Sequence, residues 1–252
     1  MSSWDHLRTE LDLWQSEGRI ATAWWRDDDA VTVTPELEAI LAFEQHYNVP
    51  LALAVVPADL QNDLVERLVE TVDTRVLQHG WSHKNHMPIG RKKQELDDVR
   101  DIGDVVSDLR KGFSVLKSRF GSRFLPVIVP PWNRVAEDVV ASLQSLGFFG
   151  ISTFNPRASA EPYQGLLQVN THVDVIDWRG TRGFAGEDVV LGAMVAHLVA
   201  RRTGQVDDLE PTGILTHHMV HDKGTTKFLD NLFSMEHSAL NWLKIPGVFP
   251  WQ

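Results

Sequence analysis

Apolar residues recur along this chain in two alternating rhythms. At the N-terminal end Trp4, Leu7, Leu11 and Trp14 lie three or four positions apart, sharing one helix face, and Gly18 follows as a stop. Residues 1–17 are therefore expected to form a helix packed on the body of the fold. Residues 20–25 (IATAWW) then run almost continuously apolar, as a strand covered on both faces would, and empty into Arg26-Asp27-Asp28-Asp29. The alternation repeats. Thr34-Pro35 opens a second helix, a hydroxyl cap followed by proline in the first turn, and Leu37, Ile40 and Leu41 carry it. Residues 51–56 (LALAVV) read as a strand, Leu60, Leu64 and Leu68 as a helix stripe, and residues 75–78 (RVLQ) as a third strand ending at His79.

Residues 87–101 are polar and predict a loop over the strand ends. Val106, Leu109, Phe113, Leu116 and Phe120 mark a long amphipathic helix with Gly121 as its cap. Residues 125–129 are a fourth strand, 148–153 a fifth, 169–176 a sixth and 214–216 a seventh, with helices between them over Val139 to Leu146 and over residues 187–202. The stretch 155–165 is loop-like, and a final helix is expected to hold Phe228, Leu229, Leu232, Leu240 and Leu243. Strands alternating with helices predict βαβ units and a parallel α/β sheet. Seven of them in 252 residues point to a closed or nearly closed barrel, a single domain over residues 1–252, with an open doubly wound sheet as the alternative.

Composition narrows the function. The chain has no cysteine, so any metal must be held by His, Asp or Glu. A net charge of -10 argues against nucleic-acid or anionic-membrane partners. There is no apolar signal core and no run of membrane-spanning length, so a cytoplasmic location is expected.

The unusual residues gather at the C-terminal ends of the predicted strands. These are Asp27 to Asp29, His79, Pro130 to Arg134, Asp174 to Trp178 and His217. In a βα barrel those ends share one rim, where catalytic sites are built. His79 and His83 in the stretch HGWSHKNH are four residues apart, which on one helical turn would bring both imidazoles to one ion. An oxygen from the aspartate cluster would complete an open site of the kind catalytic metals occupy. Tryptophans 81, 132 and 178 near the rim could stack on a sugar or another flat face, although core packing is the commoner role for any one of them.

The ordered set of motifs resembles the polysaccharide deacetylases, the metal-dependent enzymes of carbohydrate esterase family four. Asp28-Asp29-Ala30 is similar to the family's first motif, His79-Gly80-Trp81-Ser82-His83 to the second, and Val129-Pro130-Pro131-Trp132 to the third. Asp174-Val175-Ile176-Asp177-Trp178 is similar to the fourth, and Leu215-Thr216-His217 to the fifth. The resemblance spans residues 20–218 and implies a distorted (β/α)7 barrel. It also implies a divalent metal, with zinc expected, held by Asp29, His79 and His83. Asp28 would be the base that deprotonates the metal's water. His217 would be the acid for the leaving amine, oriented by Asp174 or Asp177. Trp81, Trp132, Asn133 and Trp178 are the expected substrate contacts, and the partner is a small-molecule or oligosaccharide substrate.

Four departures from the pattern leave questions open. With three aspartates in a row, Asp27-Asp28 is an alternative working pair. Gly80 stands where the family has Ser or Thr. Val129 stands where it has an arginine that buttresses the base, for which Arg26 and Arg134 are the candidate replacements. His218 offers a second late histidine. The expected activity is removal of an N-acyl group from a sugar or related amide. The alternatives are hydrolysis of a non-sugar C–N bond such as a ureide, and a catalytically silent glycan-binding barrel.

Overall fold

The computed structural model describes residues 2–250. Helix α1 (Ser3–Ser16) leads into β1 (Ala21–Ala30), α2 (Pro35–Tyr47), β2 (Leu51–Val55), α3 (Asn62–Leu68) and β3 (Arg75–His79). After a long irregular loop come α4 (Ile102–Phe120), β4 (Phe124–Val129), α5 (Glu137–Ser142), β5 (Gly150–Ile151), β6 (Leu167–Gln168) and β7 (Val173–Asp174). The chain continues through α6 (Glu187–Arg202), β8 (Thr212–Thr216), α7 (Lys223–Phe233), β9 (Leu240–Trp242) and α8 (Ile245–Val248).

The strands are parallel and run in the order β6-β5-β4-β3-β2-β1-β8-β7. Although β6 and β7 stand at opposite ends of that path, they belong to one chain segment of residues 167–174. Its start pairs with β5, and its end pairs with β8, where the His172 amide also donates to the Gly213 carbonyl at 2.8 Å. That segment closes the sheet into a distorted (β/α)7 barrel. The predicted sixth strand at residues 169–176 is therefore a closing segment that begins two residues earlier.

The strands read as continuously apolar because they are covered twice. Trp24, Ala52, Ala54, Leu77, Val127 and Val129 point into the barrel, which Ile245, Val248 and Phe249 plug at its base. Trp25, Leu51, Leu53, Val55 and Val76 point outward, into a layer shared with α1, α2, α6 and α7. The period-two alternation of a strand sorts each side chain to one layer or the other. Helix α1 contributes Leu7, Leu11 and Trp14 to the outer layer and is held to α6 by the Arg202–Glu10 pair at 2.7 Å. The expected final helix is shorter than its apolar spacing suggested. It ends at Phe233, and Leu240 lies in β9, whose backbone pairs with residues 21–23 of β1. No helix among the described residues is long and apolar enough to cross a membrane.

Candidate active site

Strand parity sends the three aspartates to different places. Arg26 and Asp28 follow Trp24 toward the barrel interior. Asp27 follows Trp25 outward and is fully buried against Thr216 Oγ1 (2.6 Å) and His218 Nδ1 (2.5 Å). Asp29 then escapes the alternation through a left-handed backbone, φ 74°, which turns its carboxylate over the rim. Non-glycine residues rarely adopt positive φ, and each case costs free energy. Seven of the described non-glycine residues do so, and Asp29, His83, Trp132 and Asn133 among them lie at this one site.

At the end of β3, His79 Nε2 lies 3.1 Å and His83 Nε2 3.3 Å from the same Asp29 Oδ1. The two imidazoles do not converge by sharing a helical turn, as their spacing suggested. Residues 81–86 form no helix, and the approach is made by Gly80 (φ 57°) and the left-handed His83 (φ 54°). His79 Nδ1 is 2.9 Å from the Val129 carbonyl, which can only accept, so Nδ1 carries a proton and Nε2 is the nitrogen that faces Asp29. Loss of the Nε2 proton would leave the tautomer in which Nε2 can ligate a metal. Burial alone would raise the Asp29 carboxyl, but the hydrogen bond and charge of His79, with the charges of His217 and His83, hold it well below the usual carboxylate range. His79 is disfavoured in its charged form by burial, yet its contact with Asp29 and the charge of Asp28 raise it overall. His83 is lowered by burial and by His79 beside it. One ionised carboxylate oxygen and two imidazole nitrogens therefore face one point, a donor set suited to zinc or another borderline divalent ion.

Beside this corner, the fully buried Arg26 forms an ion pair with Asp28, NH2 donating to Oδ2 at 3.0 Å while Nε lies 2.8 Å from Oδ1 without a hydrogen bond. The same guanidinium donates to Ser152 Oγ (2.7 Å) and to Asn133 Oδ1 (2.8 Å). Across from it, His217 Nε2 stands 4.0 Å from Asp28 Oδ2, and His217 Nδ1 is buried with no partner among the described residues. The Trp178 ring meets His217 edge-on at 4.8 Å and donates its Nε1–H to Asp174 Oδ2 at 2.8 Å. Burial pushes the Asp174 carboxyl up, against the opposing charge of His217.

Of the residues singled out in the sequence, Asp28, Asp29, His79, His83, Trp132, Asn133, Trp178 and His217 come together here. Trp132 packs against His83 with ring centroids 4.4 Å apart. Two do not join them. The Asp177 carboxylate accepts amide hydrogens from Arg179, Gly180 and Thr181, tying up its own loop, so Asp174 is the aspartate on the His217 side. Trp81 leans toward α4, its ring 6.0 Å from the Lys111 ammonium.

No family model matches the sequence, and no curated protein matches it either. Solved structures do. A peptidoglycan deacetylase of Bacillus subtilis superposes with a TM-score of 0.55 at 13% identity, each chain covering 92% of the other. A family 4 carbohydrate esterase of Streptomyces lividans, in complex with acetate, gives 0.54 at 14% identity over 84% of this chain and 86% of that one. A family 4 acetyl xylan esterase of Clostridium thermocellum, in complex with a cobalt ion, gives 0.53 at 15% identity over 91% and 90%. The fold is that of the polysaccharide deacetylases.

Against that fold, this chain's departures acquire a physical account. At Val129, where the resemblance places an arginine, the backbone carbonyl accepts from His79 Nδ1, and the buried guanidinium beside Asp28 is that of Arg26 on β1, three strands along the sheet. Arg134 instead donates outward, to the Lys93 carbonyl at 2.9 Å. At position 80 a Cβ would lie 2.0 Å from Glu95 Oε2 and 2.7 Å from the Pro131 ring, so only glycine fits. Glu95, buried and unforeseen in the sequence, accepts from the Ser82 amide (2.7 Å), the Ser82 hydroxyl (3.1 Å) and the Trp81 amide (3.2 Å), holding the histidine loop in shape. It sits in a polar run with no periodicity, so no sequence signal marked it.

A second trio, His172, His197 and Glu210, also has ligand-type atoms within 4.8 Å of one another. Its tautomer is the wrong one for a metal. The Gly213 amide donates to His172 Nδ1 at 3.0 Å, so the neutral ring keeps its proton on Nε2, 3.3 Å from Glu210 Oε2. The two rings stack face to face at 3.5 Å, which directs their in-plane lone pairs alongside each other. This trio is buried packing.

Proposed function

We propose that this protein is a metal-dependent hydrolase that removes an N-acyl group, in the simplest case acetyl, from an amino sugar or a closely related amide. The observation that carries the reading is the pairing of two differently built carboxylates at adjacent positions. Asp29 shares one oxygen between two imidazoles, and Asp28 is clamped by a buried arginine facing His217. A divalent ion held by Asp29, His79 and His83, with zinc the proposed metal, would supply Lewis acidity toward the acyl carbonyl and lower the pKa of a water molecule.

The chain's own groups divide the proton transfers. Asp28, fixed in place by Arg26, accepts a proton from the attacking water. His217 stands on its far side and delivers a proton to the departing nitrogen, which is a poor leaving group unprotonated. Trp178 packs against His217 and is itself held by Asp174, so the imidazole cannot swing away. Trp132 offers a flat face beside the metal corner for the acyl or sugar portion. The named neighbours support this chemistry, since one is a peptidoglycan deacetylase and another an acetyl xylan esterase. The silent glycan-binding alternative leaned on the missing arginine, and Arg26 removes that support.

The test is a pair of variants. His217→Ala should keep its metal by elemental analysis and lose turnover by roughly a hundredfold or more, the scale of a positioned acid. His79→Ala should lose the metal itself. Wild-type acetate release by His217→Ala, or full metal occupancy in His79→Ala, would overturn the reading.

A further inference from the structure

The chain carries a net charge of -10, yet the loop following the metal-site histidines runs the other way. Residues 84–93 (KNHMPIGRKK) contain Lys84, Arg91, Lys92 and Lys93 and no acid. All four side chains are exposed, and none forms an ion pair among the described residues. The loop is not free to carry them elsewhere. Its base is tied by the His86 amide to the Gln94 carbonyl (3.1 Å) and by the Gln94 amide to Asn85 Oδ1 (3.0 Å). Two contacts aim its end at the site. The Lys93 ammonium lies 5.9 Å over the Trp132 ring, whose other neighbour is His83. Arg134 NH1 donates to the Lys93 carbonyl, which sets a second cation beside the first and leaves the rest of its guanidinium unpaired.

Arg134, Asn133 and Gln94 also line an open groove of about 690 Å³. The groove shares a wall residue with the candidate active site, because Asn133 Oδ1 accepts from the Arg26 guanidinium beside Asp28. The carboxylate in its wall, Glu137, accepts from the Tyr163 hydroxyl at 3.3 Å rather than from either cation. A rim of unneutralised cations, with Lys93 over Trp132 beside His83, concentrates anions there. Arginine and lysine together are suited to phosphate or carboxylate oxygens.

Building on the deacetylase reading above, we propose that the substrate is an N-acyl amino sugar bearing its own anionic group, a phosphate ester or a carboxylate, which Lys93 and Arg134 hold at the mouth of this groove. They are specificity residues and take no part in bond breaking.

The experiment uses the full-length, metal-loaded protein and four probes: N-acetylglucosamine, its 1-phosphate, its 6-phosphate and N-acetylmuramic acid. Acetate release and calorimetric binding are measured for each at low and at high salt. At least one anionic probe should exceed the neutral sugar in kcat/KM by about tenfold or more, mainly through KM, and the advantage should shrink with salt. Which probe leads separates phosphate from carboxylate. Lys93→Ala and Arg134→Ala should each erode the ratio, Lys93→Arg should restore it, and metal content should stay at the wild-type level in all three. Equal use of neutral and anionic probes overturns the proposal, as does a ratio that survives in the Lys93→Glu/Arg134→Glu double variant. If no probe releases acetate, the reaction reading fails instead. The anion site is then judged by calorimetry alone, where equal affinity for N-acetylglucosamine and its phosphates would refute it.

Discussion

Replacing Arg26 with methionine tests the least expected feature of the site. The side chain is fully buried, as is Asp28, and the two form an ion pair with one hydrogen bond, at 3.0 Å, and a second nitrogen–oxygen approach of 2.8 Å. Methionine preserves much of the volume but leaves Asp28 as a buried carboxylate without its cation, a loss worth about 3–5 kcal/mol when one partner of a buried pair is removed. Asn133 Oδ1 and Ser152 Oγ also lose their donor. Because these groups form one network the costs do not add, and about 3–5 kcal/mol is the figure to expect. Against a typical domain stability of about 5–15 kcal/mol, that brings the protein close to unfolding. The assay is urea denaturation at pH 7 for wild type, Arg26→Met, Asp28→Asn and the double variant. Neutralising both partners should restore most of the loss, giving a coupling energy of about 2–3 kcal/mol. A single-variant cost below about 1 kcal/mol, or a double variant no better than Arg26→Met, would refute the account of Asp28 as a charge that depends on Arg26.

Gly80→Ala should lower both stability and metal affinity. The residue is left-handed, which costs an L side chain about 1–2 kcal/mol, and its Cβ meets Glu95, so the histidine loop must shift; metal titration with wild-type affinity would contradict this. Acid should weaken the fold through the His172–His197 stack. Burial, with the charges of His172 and Arg201, lowers His197 to about 2, and His172 is lowered too, chiefly by burial. In the unfolded chain both bind a proton near 6.5, so below that pH the unfolded state holds more protons and stability falls, by up to about 1.4 kcal/mol per pH unit for each ring. His197→Phe should flatten the slope of unfolding free energy between about pH 6.5 and 5, and an unchanged slope would exclude His197 as its source. Trp178→Phe removes the hydrogen bond to Asp174 while keeping the ring against His217. It should reduce kcat more than it raises KM, and a pure KM effect would place Trp178 in substrate binding instead.

Much of this protein is determined locally. A parallel strand buried on both faces reads as an unbroken apolar run whatever its neighbours, so β1, β2 and β4 were legible, and so was the rim their C-terminal ends share. Asp29, His79 and His83 could be proposed as ligands because the order of the motifs survives even where single residues have changed. Other features depended on contacts between distant segments. Residues 167–174 close the barrel by pairing with two different strands, and Leu240 left its apparent helix stripe to pair with β1. The roles of Asp27, Asp28 and Asp29 required knowing which face of β1 was inside, and where a positive φ broke the alternation. The histidine tautomers depend on whether a carbonyl or an amide happens to lie opposite Nδ1, which is why two similar His-carboxylate clusters differ in fitness for a metal. Arg26 reaches Asp28 only because the two side chains share the barrel interior. Glu95 comes from a segment with no pattern at all. Chemistry made of side chains from separate strands is decided by packing, since no local spacing records which of them meet.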